Sequence, residues 1–391
     1  VASLNPAVPL SAFLLLTHPL VAQTLPSPAG PYRVGTSLAL IGDSSRAELT
    51  RADKDQPRRL IVQLWYPALP TPGNHRAPYI PELEVTAGDI RQFAPELMLA
   101  LDSLTAPAFW EAPPVASRRF PLVVFSPGMN SARYFYTGLE AELASHGFVV
   151  AAIDHPFWSI AGSFPDGSRL TYGESMAARD RLTSDQIDGL MQEGIAMMAE
   201  DQALVASRLP TAAPRLADAI DAGRVGVLGH SMGGMAATRA CWTYRVFSAC
   251  ASLDGLVWAR EGYTPIGMPP ARVAKPFFLL LSPQFLPPDL TTIARRYRRS
   301  WRSPSLCLLP GSRHNSVTDL PRLRRTLAGP GELPPDTAAT VIQRAVISFF
   351  NSALGAPSGQ SAGPVLPSLG LGSLLRPIPD DSTRPRRHAC P

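Results

Sequence analysis

The sequence predicts an α/β fold: a mostly parallel central sheet with helices on both faces and a small helical cap. Three observations carry that expectation. Short apolar runs recur at 122–126, 149–154, 225–228, 250–254, 277–281 and 306–309. Helical patterns separate most of them, and such alternation puts parallel strands inside and helices outside. The run at 225–228 leads into Gly229-His230-Ser231-Met232-Gly233, a strand-to-helix turn of the kind that presents a serine.

Taken in order, residues 1–29 read as a secretory signal and a flexible start. An apolar stretch at 12–16 lies before small residues, and a Pro/Ser/Gly-rich stretch follows at 26–31. A buried helix is the competing reading. Segments 33–41 and 59–66 alternate or run apolar, as early antiparallel strands do. Residues 90–104 have helical spacing and form part of the expected cap. Residues 164–168, Phe-Pro-Asp-Gly-Ser, read as a tight turn. Apolar residues at three-to-four spacing predict a long helix over 175–208, and 338–354 reads as a closing helix. Pro, Gly, Ser and Arg dominate 355–391, which predicts a disordered tail after a catalytic domain at 30–354.

The elbow glycines have a steric reason. Residues two positions either side of Ser231 pass close to one another, and a β-carbon at Gly229 or Gly233 would collide there. The turn sets the hydroxyl above the sheet at a helix start, where N–H groups favour a developing oxyanion. A chance match in a Gly/Ser-rich loop is the bland alternative, and the flanking strand and helix weaken it.

A serine hydroxyl is a poor nucleophile at neutral pH, so the elbow requires a histidine base and an orienting carboxylate. The expected order is Ser, then Asp or Glu, then His. Asp254 ends the apolar strand at 249–253, and His314 lies in the loop after the strand at 306–309. Only His314 and His388 follow Asp254, and His388 sits in the Pro/Arg-rich tail. Asp154 also ends a strand and is the main rival to Asp254; chain order favours Asp254. His155 reads as lining the site, His230 as packing behind the serine, and Asp319 as a loop or helix-start residue. Two backbone N–H groups are expected to form the oxyanion hole. Met232 follows the serine, and Met129 lies in the Pro127-Gly128-Met129-Asn130 turn after the strand at 120–126.

These blocks together resemble the α/β-hydrolases related to platelet-activating factor acetylhydrolase, over about residues 30–350. Similar blocks include Gly30-Pro-Tyr-Arg-Val-Gly35, Arg59-Leu-Ile-Val-Gln-Leu-Trp-Tyr-Pro67, and Pro121-Leu-Val-Val-Phe-Ser-Pro-Gly128 followed by Leu143-Ala-Ser-His-Gly-Phe-Val-Val150. Gly229 to Gly234, Leu253-Asp-Gly255 and Gly311-Ser-Arg-His314 fall on the family's three catalytic blocks, with the serine and aspartate 23 residues apart. The elbow alone is common to lipases, cutinases and many esterases; the ordered set is far more specific. The resemblance implies Ser231 as nucleophile, Asp254 as orienting acid, His314 as base, and Met129 and Met232 as oxyanion donors. Pro127-Gly128 departs from the His-Gly of many relatives, which backbone donors do not require. The implied activity is hydrolysis of short-acyl phospholipid or similar lipid esters, with no metal or organic cofactor. A general carboxylesterase, a lipase or a cutinase-like polyester hydrolase would use the same residues. An acyltransferase or amidase, and a non-catalytic hydrolase-fold binding protein, are the readings from other classes.

The 391 residues suit one large α/β domain, and 45% hydrophobic content is ordinary for a globular chain. Net charge is +5. Five arginines, Arg295, Arg296, Arg298, Arg299 and Arg302, cluster with Tyr297 and Trp301. A solvated basic face is the plain reading. Peripheral contact with anionic lipid, the two aromatics at the interface, is the sharper one. No nucleic-acid module surrounds the cluster. Four cysteines, Cys241, Cys250, Cys307 and Cys390, fit no zinc pattern. Cys241 and Cys250 could bridge the elbow helix to the next strand, and core thiols are an equal alternative. The signal-like start predicts a secreted or periplasmic protein.

Overall fold

Five strands made largely of apolar residues build the centre of one sheet. Strands β5 (Phe120–Ser126), β6 (Val149–Asp154), β8 (Ala249–Leu253) and β9 (Phe277–Leu281) are buried at every position. Strand β7 (Ile220–His230) is buried from Val225 onward. This is a computed structural model, and it describes residues 25–48, 56–93, 101, 104–164, 166–168, 182–256, 269–323, 332–355, 372–379 and 390–391. The remaining strands are β1 (Arg33–Ala47), β2 (Pro57–Ala68), β3 (Arg76–Pro78), β4 (Thr105–Trp110), β10 (Pro304–Leu308) and β11 (Arg376–Pro377). Among the described residues the sheet order is β11-β10-β9-β8-β7-β5-β6-β2-β1-β4-β3. Pairing is parallel from β6 through β5, β7, β8 and β9 to β10. Strands β1 and β2 pair antiparallel, and β2 joins β6 antiparallel.

Successive residues of each strand face opposite sides, so each strand feeds two cores. Val123, Phe125, Val150, Ala152 and Phe278 enter one; Leu122, Val124, Val149, Ala151 and Leu279 enter the other. The major helices are α1 (Leu83–Phe93), α2 (Thr137–Ser145), α3 (Ser184–Ala212), α4 (Met232–Thr243), α5 (Leu290–Ser300) and α6 (Pro335–Leu354). Helices α2 and α6 bury residues such as Leu143 and Val346 in the first core; α3, α4 and α5 bury Met198, Ala236 and Tyr297 in the second. Strand β5 lies between β6 and β7. The chain therefore leaves β5 towards one side of the sheet and returns on the other. That reversal opens a crevice at the carboxyl ends of the strands.

Several expectations change. Residues 90–93 of the expected cap segment 90–104 continue α1, and Ile90 and Leu101 are buried in a core; 105–110, just beyond it, forms strand β4. Residues 94–100 and 102–103 of that segment lie outside the described residues. The long helix starts at Ser184, where Thr183 and Gln186 form a capping box; the expected start at 175 lies outside the described residues, as does the signal-like segment 1–24. Residues 25–29 are not merely a flexible start. Leu25 is buried, and the Ala29 N–H donates to Glu142 Oε2 at 2.9 Å.

The tail also departs from expectation. Strand β11 pairs antiparallel with β10, and a disulfide joins Cys307 to Cys390. A two-residue strand with a proline has almost no sequence signature; the bridge supplies what composition withholds. A second disulfide joins Cys241 at the end of α4 to Cys250 in β8, which settles the open question of core thiols.

Candidate active site

Ser231 sits between β7 and α4 with φ 53° and ψ −122°. A non-glycine residue there is strained, and the neighbouring packing holds it. A β-carbon on Gly229 would lie 2.1 Å from the Gly233 carbonyl oxygen, and one on Gly233 would lie 2.3 Å from the Ser126 carbonyl oxygen. Both elbow glycines are thus required by backbone-to-backbone contact, Gly229 against Gly233 and Gly233 against the end of β5. The Ser231 N–H donates to the Leu253 carbonyl at 2.9 Å, which ties the elbow to the end of β8.

Asp254 follows directly, with φ 50°. Its Oδ2 accepts from His314 Nδ1 at 2.7 Å and from Ser282 Oγ at 2.6 Å; its Oδ1 accepts from the Ser282 N–H at 2.9 Å. Burial raises the Asp254 pKa, but the hydrogen bonds from His314 and Ser282 outweigh it and hold the carboxyl below its ordinary value. An ionised Asp254 fixes the proton of His314 on Nδ1, so Nε2 is the ring nitrogen able to accept one. The His314 N–H is held by Gln284 Oε1 at 2.9 Å. His314 is about a quarter exposed (23%) and Asp254 nearly buried (8%).

The turn after β5 lies beside the serine. A β-carbon on Gly128 would come within 3.1 Å of the Ser231 Cβ. Met129 is half-buried in that turn, and Met232, directly after the serine, opens α4. The other end of the cluster is held by His230, which is fully buried. Its Nε2 lies 2.9 Å from the His314 carbonyl and its Nδ1 2.8 Å from the Tyr136 hydroxyl. A carbonyl only accepts, so Nε2 carries the proton and Nδ1 accepts from Tyr136. The Tyr136 oxygen in turn accepts the Gly128 N–H at 3.1 Å. Burial, with the His314 charge adding to it, pushes the His230 pKa down to about 3 and keeps the ring neutral.

The sequence expectations divide as follows. Ser231, Asp254, His314 and the 128–129 turn converge at the carboxyl ends of β7, β8, β10 and β5. The rival Asp154 does not join them: it is fully buried and binds Arg133, whose N–H also donates to it at 2.9 Å. His155 does not line the site but is buried, with Nε2 on Ser126 and Nδ1 on Asp201. Asp319 is buried and accepts from Tyr79 OH and the Gly138 N–H. His388 lies outside the described residues. Tyr136, Ser282 and Gln284 were not predicted. Ser282 directly follows apolar β9, a strand-end signal of the same kind that marked Asp254; Tyr136 and Gln284 carry no local signal. Among the described residues no cluster of three or more His, Cys, Asp or Glu side chains could hold a metal.

The chain belongs to the alpha/beta hydrolase family, whose sequence pattern matches residues 123–375. The pattern described as "Platelet-activating factor acetylhydrolase, isoform II" matches residues 20–164. Among curated relatives, a platelet-activating factor acetylhydrolase of Cavia porcellus is 24% identical over 85% of this chain and 78% of its own length. A probable 1-alkyl-2-acetylglycerophosphocholine esterase of Arthroderma benhamiae is 26% identical over 62% of each chain. Among solved structures, a ferulic acid esterase from Streptomyces cinnamoneus superposes with a TM-score of 0.69 at 27% identity. That superposition covers 89% of this chain and 98% of the other.

Proposed function

We propose that the protein is a serine carboxylic-ester hydrolase that works through an acyl-enzyme on short-acyl phospholipid or similar lipid esters. The observation that carries the reading is the junction of a strained serine elbow with an Asp254–His314 hydrogen bond of 2.7 Å, in family order. Ser231 Oγ attacks the ester carbonyl as its proton passes to His314 Nε2. Asp254 stabilises the imidazolium. The Met129 and Met232 N–H groups receive the oxyanion, a single such donor being worth about 3 kcal/mol. The C–O bond to the alcohol breaks as His314 protonates the leaving oxygen. Water then repeats the sequence on the acyl-enzyme, returning Ser231 and releasing the acid.

The lipid-ester preference rests on the relatives' names, acetylhydrolase of platelet-activating factor and alkylacetylglycerophosphocholine esterase. The ferulic acid esterase match favours a second reading, a carboxylesterase for non-phospholipid esters. The two separate on a panel of short-acyl phospholipids, an acyl-chain series of p-nitrophenyl esters, a feruloyl ester and a polyester film. Hydrolysis of the phospholipid with a steep preference for short acyl chains supports the first; inactivity on phospholipid with turnover of the others replaces it with the second. A fluorophosphonate probe should label Ser231 in the folded protein and not in Ser231→Ala, which should keep the wild-type Tm. Absence of labelling in wild type would leave a hydrolase-fold binding protein.

Export to an oxidising compartment fits the two disulfides. Among the described residues no helix is long and apolar enough to cross a membrane. Contact with anionic lipid would be electrostatic. Arg296, Arg299 and Arg302 are exposed, but Tyr297 and Trp301, expected at the lipid interface, are fully buried and stack on Phe277.

A further inference from the structure

Beneath the turn that follows β5 lies a second Ser-His-Asp chain. His155 Nδ1 is 2.8 Å from Asp201 Oδ2, and His155 Nε2 is 2.8 Å from Ser126 Oγ. Asp201 is gripped by Arg58 through two hydrogen bonds, Nε to Oδ1 at 2.8 Å and Nη2 to Oδ2 at 2.5 Å. Ser126, His155, Asp201 and Arg58 are all buried. The spacing is that of a catalytic triad, yet no substrate can reach it. Its role must lie in what it holds.

The protons in this chain have one arrangement. Burial raises the Asp201 pKa, but the charge and hydrogen bonds of Arg58, with the hydrogen bond from His155, outweigh it and keep the carboxylate ionised. Asp201 therefore accepts the His155 Nδ1 proton. Burial lowers the His155 pKa, so Nε2 is bare and accepts from the Ser126 hydroxyl. The Ser126 oxygen then accepts from Gln202 Nε2 at 2.8 Å. Ser126 is the last residue of β5, and its carbonyl is one of the groups that a side chain at Gly233 would strike. The same histidine begins a loop that grips the far end of the turn. The Trp158 and Ser159 N–H groups donate to the His155 carbonyl, the Asn130 N–H donates to the Trp158 carbonyl at 3.0 Å, and the Ile160 N–H donates to the Ser131 carbonyl at 3.0 Å.

We propose that the buried Ser126–His155–Asp201–Arg58 chain positions the oxyanion turn, clamping its start through the Ser126 hydroxyl and its end through the 155–160 loop. Residues 127–130 carry no regular structure of their own and include Asn130 at φ 61°. Left to itself such a turn relaxes, and Met129 moves with it. A misplacement of about 1 Å at a reacting group costs on the order of 100-fold in rate. These are positioning residues for the chemistry proposed above, and the inference rests on that reading.

Ser126→Ala is the test, because it removes one hydroxyl and leaves the Arg58–Asp201 ion pair intact. His155→Phe cuts the chain more deeply and serves as a second variant where it folds. Both should retain KM for a short p-nitrophenyl ester within about twofold while kcat falls roughly 10–100-fold. Affinity for an alkyl trifluoromethyl ketone, whose serine adduct carries the oxyanion, should fall by the same factor. Fluorophosphonate should label Ser231 alone, one equivalent per chain. A Ser126→Ala protein with wild-type kcat overturns the proposal. So does a lowered Tm with unchanged kcat and ketone affinity, which would make the chain structural only, or labelling at Ser126. Wild-type protein that neither hydrolyses the ester nor labels at Ser231 would instead defeat the underlying hydrolase reading.

Discussion

His230 Nε2 donates to the backbone carbonyl of His314 at 2.9 Å, so the residue before the candidate nucleophile holds the loop of the candidate base. The same ring accepts from Tyr136, which receives the Gly128 N–H. Base loop, elbow and oxyanion turn are therefore joined by one directed line of hydrogen bonds. A shift in any one of them is felt by the other two.

Tyr136→Phe cuts that line at its centre. It leaves the Gly128 N–H and His230 Nδ1 buried without partners, at a cost of about 1–3 kcal/mol for each group. The expected outcome is a clear drop in Tm and a kcat reduced at least tenfold below the new Tm, measured by calorimetry and steady-state hydrolysis. Unchanged kcat would show that the line does not bear on turnover.

Asp254→Asn should be severe, though less so than loss of Ser231 or His314. An amide at this position disturbs the tautomer of His314, and the comparable change in a serine protease costs on the order of 10⁴-fold in kcat. Ser282→Ala keeps one of the two Ser282 donors to Asp254 and should cost about tenfold. If both variants lose activity equally, Ser282 is doing more than supporting the carboxylate.

Asp319 links stability to pH. Burial pushes its carboxyl up to about 7, against the opposing charge of Arg322 and hydrogen bonds from Gly138 and Tyr79. Between about pH 4 and 7 the folded protein holds a proton that the unfolded chain has released, so stability from this group is complete below about pH 4 and lost as pH rises through about 7. Asp319→Asn removes the titration. Chemical denaturation across that window should show a slope that differs between the two proteins by up to about 1.4 kcal/mol per pH unit. Parallel profiles would refute the assignment. His230 acts in the opposite sense: its depressed pKa contributes stability above about pH 6.5 that is lost as pH falls towards 3.

The basic face of α5 gives a prediction that depends on salt. Changing Arg296, Arg299 and Arg302 together to Gln should weaken binding to vesicles rich in anionic lipid without altering hydrolysis of a soluble ester. Since the aromatic side chains are buried, wild-type binding should vanish near 1 M salt, where the screening length falls to about 3 Å. Sedimentation with vesicles measures both effects; binding that ignores the triple substitution removes the lipid contact.

Much of this architecture was legible because central strands and the elbow are local events. A run such as Phe277–Leu281 can be satisfied only where both faces are covered, and the spacing of Gly229 and Gly233 is dictated by one turn's sterics. The misread segments lacked that local compulsion. Tyr297 and Trp301 are buried because Phe277 stacks on them, and β11 is held beside β10, which a distant cysteine also joins. His155 does not line the site, contrary to its reading from the sequence, for the same reason: its partner Asp201 comes from a helix 46 residues away.

By itself the sequence determined the alternation of strands and helices, the serine turn, and the order in which Ser231, Asp254 and His314 follow one another. Covalent spacing and steric exclusion act along the chain and leave their mark in it. Only the tertiary structure decided which carboxylate meets which histidine. Asp254 found His314 while Asp154 found Arg133, and His155 was enclosed with Asp201 and Ser126. Those choices depend on burial and on groups brought together from remote segments, where the loss of water makes each hydrogen-bond partner obligatory.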